Sequence, residues 1–266
     1  MVRLTDRLRE EYRRLFETCH IPRENLARVE AAADRLVASR NRYELAVEDL
    51  PAPWFFVAIV HHLESGNRFD RHLHNGDPLD QRTVRVPAGR PREGSPPFTW
   101  EESARDALRL QRIQRWEDWS LAGFLYQLER FNGFGYRLYH PEVFSPYLWS
   151  KTSHYTRGKY TADGVFSPRA VSAQIGGAAL LRRMAERGVV SLPPDPAQPD
   201  RAQGQPRVRY RPDQEVEEAR ELQRFLNTFY GIYLRVDGFA GPRTSAAFEE
   251  VTGFRLEGDP LREIPG

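Results

Sequence analysis

The stretch Pro53–Leu79, PWFFVAIVHHLESGNRFDRHLHNGDPL, decides how the rest of the chain is read. Residues 54–60 are apolar on every side, the mark of a helix buried all round. Pro53 suits the start of that helix and Gly66 its end. Glu64 sits in the last turn, where apolar surroundings and the negative end of the helix dipole both disfavour a carboxylate anion. A carboxyl group that keeps its proton near neutral pH is fitted to act as a general acid. The alternative use of Glu64 is an ion pair with Arg68 or Arg71.

Beyond Gly66, Asn75-Gly76 is a strong turn signal, and RTVRVP at 82–87 alternates as a strand does. A small β-hairpin is expected there, folding back over the end of the helix. Asp77 follows the turn thirteen residues after Glu64. A polar, ionised Asp77 would be the second carboxylate of a two-carboxylate glycosidase, positioning or activating water.

Outward from this stretch, apolar residues at helical spacing predict helices over 4–19 and 23–47. Thr99 and Glu102 have the spacing of a capping box, and helices are expected at 101–113, 120–131 and 168–188. The 131–160 segment is rich in aromatics, and Trp149 and its tyrosines are candidates to stack on sugar faces. From 191 to 213 the chain is proline-rich and reads as a semi-rigid linker. The expected fold is mainly α, an α+β arrangement with one small β-hairpin, plus a small helical C-terminal domain. The expected domains are 1–190, with helices 4–47 packed on it, the linker 191–213, and 214–266.

Lys and Arg number 39 against 37 Asp and Glu, so overall charge makes no case for a nucleic-acid partner. RVRYR at 207–211 reads as a solvated linker end rather than an anion-binding arm. One cysteine, Cys19, excludes an internal disulfide and is expected in the core. The charged N-terminus does not read as a signal peptide, and no apolar run reaches the ~20 residues a membrane span needs. His61, His62, His72 and His74 are close in sequence but lack the helical spacing of a zinc motif, so no metal or other cofactor is expected. A monomer is expected.

HHLESGNRFDRHLHNGDPL resembles the catalytic stretch of the goose-type lysozyme and lytic transglycosylase superfamily. TWEESARDAL, NGFGYR, SPYLWS and HYTRGKY, following in order, resemble lysozyme-like proteins of bacteria and prophages. The resemblance covers most of residues 50–185 and implies a muramidase cutting the glycan strands of peptidoglycan. It makes Glu64 the catalytic acid and Asp77 the carboxylate that handles water. It implies a substrate contact by Asn132 and by a cleft tyrosine that is either Tyr155 or Tyr160; Ser65, next to Glu64, and His74, read as cleft lining or hairpin packing, are the other candidate substrate contacts. The GLMQ run usual in transglycosylases is absent. ELQRFLNTFYGIYLRVDGFAGPRTSAAF, at 221–248, resembles the three-helix peptidoglycan-binding domain, with Leu222, Gln223, Val236, Asp237, Gly238, Gly241, Pro242 and Thr244 as its signature. Most of these residues are expected to hold the fold, and Thr244 to cap a helix. Such a protein would leave the cytoplasm by holin-dependent or specialised release and act on the wall. The alternatives are a non-catalytic wall-binding protein on the same fold, a lytic transglycosylase, or a chitosanase-like enzyme.

Overall fold

A computed structural model of the chain describes residues 2–162, 164–194, 208–227, 229 and 232–262. The chain divides into two compact units, Met1–Ala197 and Gln198–Gly266. Among the described residues it is mainly helical, with one two-stranded antiparallel sheet.

The centre of the first unit is helix α4 (Trp54–Ser65), which buries Trp54 through His61 and also Leu63. The all-round apolar run is therefore surrounded, as its composition requires: α2 (Arg23–Ala38), α3 (Arg40–Val47), α6 (Leu121–Asn132) and α9 (Gly177–Glu186) all pack against it. Phe56 is fully buried, its ring 4.8 Å from Trp119 and 5.4 Å from Phe124. Each such side chain contributes about 1.5–3 kcal/mol by leaving water. The expected 23–47 helix breaks at Ser39, which caps the end of α2. Helix α1 (Asp6–Thr18) starts on Thr5, whose hydroxyl accepts from Leu8 N, and it packs on α6. Cys19 caps its end, 1% exposed. Helix α5 (Trp100–Leu110) starts in the complete Thr99–Glu102 capping box, and a 3-10 turn follows at Ile113–Arg115.

Two short helices, α7 (Gly135–Tyr139) and α8 (Pro146–Trp149), stand in the aromatic-rich segment. Trp149 belongs to the core, 2% exposed. Of the expected 168–188 helix only α9 is helical. Its start is fixed by a close approach: a Cβ on Gly176 would stand 2.3 Å from Leu148 O.

The hairpin lies elsewhere than expected. Strand β1 (Lys159–Ala162) pairs with β2 (Val165–Ser167) in the register Lys159–Ser167 and Tyr160–Phe166. Residues 82–87 form no strand. The Asn75-Gly76 turn does reverse the chain, with Gly76 at φ +74° and a single bridge between Arg71 and Pro78. The amides that a ladder would need, those of Val84 and Arg85, donate instead to the Asp77 carboxylate.

In the second unit, α10 (Glu217–Leu226) and α11 (Pro242–Thr252) are the helices among the described residues, where the resemblance implied three. Gln223, 2% exposed, organises it. Its Oε1 accepts from Asp237 N and Gly238 N, and its Nε2 donates to Asp237 Oδ1, Phe239 O and Thr244 Oγ1. Thr244 does not cap α11, whose N-cap is Gly241; its hydroxyl donates to Phe239 O within this network. The end of the expected linker is part of this unit: Val208 is buried in its core and Arg211 N donates to Ala240 O. Residues 195–207, which carry most of the linker expectation, lie outside the described residues.

Candidate active site

Glu64 occupies the penultimate position of α4, and the turn after it presents the side chain to solvent. Gly66 takes φ +63° and Asn67 φ +67°, two left-handed residues in succession that lead the backbone off the helix axis. His62 Nδ1 and Asn67 Oδ1 are 2.8 Å apart, and Asn67 Nδ2 donates to Tyr43 OH, so the turn is tied down from both sides. The Ser-Gly-Asn that follows Glu64 is thus the device that ends the helix while leaving the carboxyl reachable.

Glu64 is not clamped by a cation. Arg68 and Arg71 pair with Asp70 instead, at 3.6 and 3.3 Å. Among the described residues the one hydrogen bond to its carboxyl comes from Tyr147 OH, 2.8 Å from Oε1. Although Glu64 is exposed as a residue, desolvation by the surrounding protein raises its pKa above the ordinary carboxylate value; the Tyr147 bond opposes that rise without cancelling it. Tyr147 is itself buried, and burial beside Glu64 holds its phenol well above its ordinary pKa.

Tyr147 also lines a cavity of about 520 Å³ together with Asn132, Tyr136, Tyr139, Tyr160 and Gln174. Gln174 fixes the end of α4 by donating to Leu63 O. Tyr136 and Tyr160 stand edge to face at 5.2 Å, and Tyr136 OH accepts from Tyr160 N, so the sheet carries one aromatic wall. Asn132, at the end of α6, is exposed, and its side chain makes no hydrogen bond among the described residues. Its amide is free to meet a ligand. The volume falls within the ~300–1,000 Å³ of small-ligand sites.

Of the residues singled out in sequence, Asn132 and Tyr160 line this cavity, and Glu64 reaches it through Tyr147. Tyr155 does not: 9% exposed, it donates to Gly158 O and accepts from Ser172 N, bracing the loop. Ser65 donates back to His61 O, within its own helix. His74 turns away toward α5, its Nε2 2.8 Å from Asp106 Oδ2.

Asp77 requires correction. It is 2% exposed, outside the cavity lining, and accepts three hydrogen bonds. Oδ2 accepts from Val84 N and Arg85 N at 2.8 and 3.0 Å, and Oδ1 from Arg85 Nε at 2.5 Å. These bonds, the backbone ones first, lower its pKa to about 2. A carboxylate held by three such bonds organises its loop. The described residues lining the cavity include no acidic side chain.

Tyr136 and Tyr147 fall among the tyrosines of 131–160 expected as sugar-stacking candidates, whereas Gln174 lies outside every expected site residue. SPYLWS gave a signal for Tyr147, but one that placed it among aromatics in general. No family model, curated protein or solved structure matches the chain.

Proposed function

We propose that this chain cleaves the glycan strand of peptidoglycan, with Glu64 as its proton donor and no second carboxylate acting as base. The observation that carries this reading is the state of Glu64: no cationic partner among the described residues, a raised pKa, and one hydrogen bond from Tyr147, which lines the tyrosine-walled cavity. The substrate class comes from the resemblance of the 50–185 motifs to lysozyme-like proteins. Protonated Glu64 gives its proton to the glycosidic oxygen as the anomeric C–O bond breaks and the leaving sugar departs with that electron pair. The resulting carboxylate then takes a proton from the hydroxyl that attacks the anomeric carbon.

Asp77 would have prepared a water for that attack, as hydrolysis with two carboxylates needs. Its engagement by Val84 and Arg85 favours the one-carboxylate route, in which the sugar's own 6-hydroxyl attacks and closes an anhydro ring. Purified peptidoglycan is digested with the chain and with Glu64→Gln, and the products are weighed by mass spectrometry. Anhydro-ended fragments released by the wild type and not by the variant are expected. Reducing-ended fragments would restore a hydrolytic muramidase. A wild type that binds wall but releases nothing would replace the enzymatic reading with wall binding, and release from chitosan alone would change the substrate.

A further inference from the structure

A second cavity, about 720 Å³, opens between α5, the 3-10 turn and the 90–94 segment. It shares no lining residue with the cavity beside Glu64. Six arginines line it, Arg90, Arg92, Arg105, Arg109, Arg112 and Arg115, against the acids Glu93, Glu102 and Asp106. Three of the arginines are spoken for. Arg90 pairs with Asp106, while Arg105 and Arg109 pair with Asp49, and Arg105 also with Glu48. Two of the acids are committed as well, Asp106 to Arg90 and His74, and Glu102 to the Thr99 cap. That leaves Arg92, Arg112 and Arg115, exposed and without a partner among the described residues, facing one unpaired acid, Glu93.

Arg112 adds an independent observation. Its φ of +58° lies in the left-handed region, where an arginine is strained and glycine or asparagine is the ordinary occupant. It directly follows Gln111, the C-cap of α5, a place where glycine ends helices cheaply. The chain therefore holds a guanidinium at the cavity mouth at a conformational cost.

We infer that this cavity binds a phosphodiester-linked polyol chain. Guanidinium groups match phosphate oxygens in paired hydrogen bonds. A single phosphate would occupy a small part of the volume, whereas successive phosphates along a flexible chain would fill more of it and can reach separate arginines. No aromatic side chain lines the cavity. Bases therefore find no ring to stack on, which disfavours single-stranded nucleic acid, and sugar rings find no platform, which disfavours a neutral glycan. The inference does not rest on the glycan-cleaving reading, because it concerns other residues and a binding event without turnover.

The test is fluorescence anisotropy of labelled poly(glycerol phosphate) with the full chain across a salt series, with inorganic phosphate and oligo(dT) as competitors. Binding is expected to weaken with salt at a log–log slope of roughly −2, about 0.7 per phosphate contact for three contacts on a flexible strand. Arg92→Gln/Arg112→Gln/Arg115→Gln is expected to weaken binding about a thousandfold, each lost charged hydrogen bond counting for roughly tenfold. Arg112→Gly alone is expected to keep or raise Tm while weakening binding, which separates loss of the site from loss of the fold. Absence of binding, an unaffected triple variant, or oligo(dT) competing as well as the polyol polymer would overturn the inference. Competition by millimolar phosphate equal to that of the polymer would reduce the site to a single-anion one and overturn the polymer assignment.

Discussion

Glu129→Gln tests how the tyrosine wall is held. Glu129 lies on α6 with its side chain 3% exposed, and Tyr12 of α1, fully buried, donates its hydroxyl to Oε2. Arg137 of α7 donates to both oxygens, at 3.2 and 2.9 Å, and its other amino group pairs with Glu11 at 2.8 Å. One carboxylate thereby joins α1, α6 and α7, and α7 carries Tyr136 and Tyr139 of the cavity. Removing one member of a buried pair costs about 3–5 kcal/mol, because the other is left uncompensated. Arg137 retains Glu11 and a quarter of its side-chain exposure, so about 2–4 kcal/mol is the appropriate range. At roughly 2–4 °C per kcal/mol for a unit of this size, Tm should fall by about 5–15 °C in a calorimetric or circular-dichroism melt. Glu11→Gln breaks only the partly exposed arm and should cost less than about 1 kcal/mol. A Glu129→Gln melt within about 2 °C of wild type, which would be worth less than about 1 kcal/mol, would refute the view that this carboxylate locks the three helices.

Tyr147→Phe removes the hydroxyl that favours ionised Glu64, so the acid should keep its proton to higher pH and the alkaline limb of the rate profile should move up; a downward shift would contradict the geometry. Asp77→Asn should lower Tm at neutral pH yet leave glycan-cleaving activity within about threefold, well short of the ~10²–10⁴ expected for a general acid–base group. Because the Asp77 pKa is lowered from 3.8 to about 2, its stabilisation is present above the higher value and lost as pH falls through the lower. The Tm difference between Asp77→Asn and wild type should therefore close across that window. Gly176→Ala should prevent soluble folding of the first unit, since its Cβ would meet backbone atoms of Leu148 and Ser150 at 2.3–2.7 Å; normal expression and melting would show that α9 can shift.

Elements governed by local rules were legible. Alternation between buried and exposed faces located the major helices, the all-round apolar run located the central one, and Gly66 marked its end. What failed was long-range competition for hydrogen bonds. RTVRVP has a strand's pattern, but Asp77 claims the amides of Val84 and Arg85, a capture that sequence spacing does not display. The same capture removed Asp77 from the catalytic expectation. The sequence carries a second hairpin signal, Asp163-Gly164, less conspicuous than Asn75-Gly76, and the sheet that does form joins Lys159–Ala162 to Val165–Ser167. Choosing between Tyr155 and Tyr160 needed the sheet, because only its placement decides which ring faces the cavity. Tyr147 was hidden by distance along the chain, 83 residues from the carboxyl it serves.

That separation has a consequence for the newly made chain. While α4 has left the ribosome and α8 has not, Glu64 stands in open water with an ordinary carboxyl chemistry. Its hydrogen-bond donor and most of the tyrosine wall come from residues 136–160. Truncated or nicked products ending before residue 146 therefore carry the acid without the surroundings that would arm it, and whatever Glu64 does to a polymer waits on completion of the first unit.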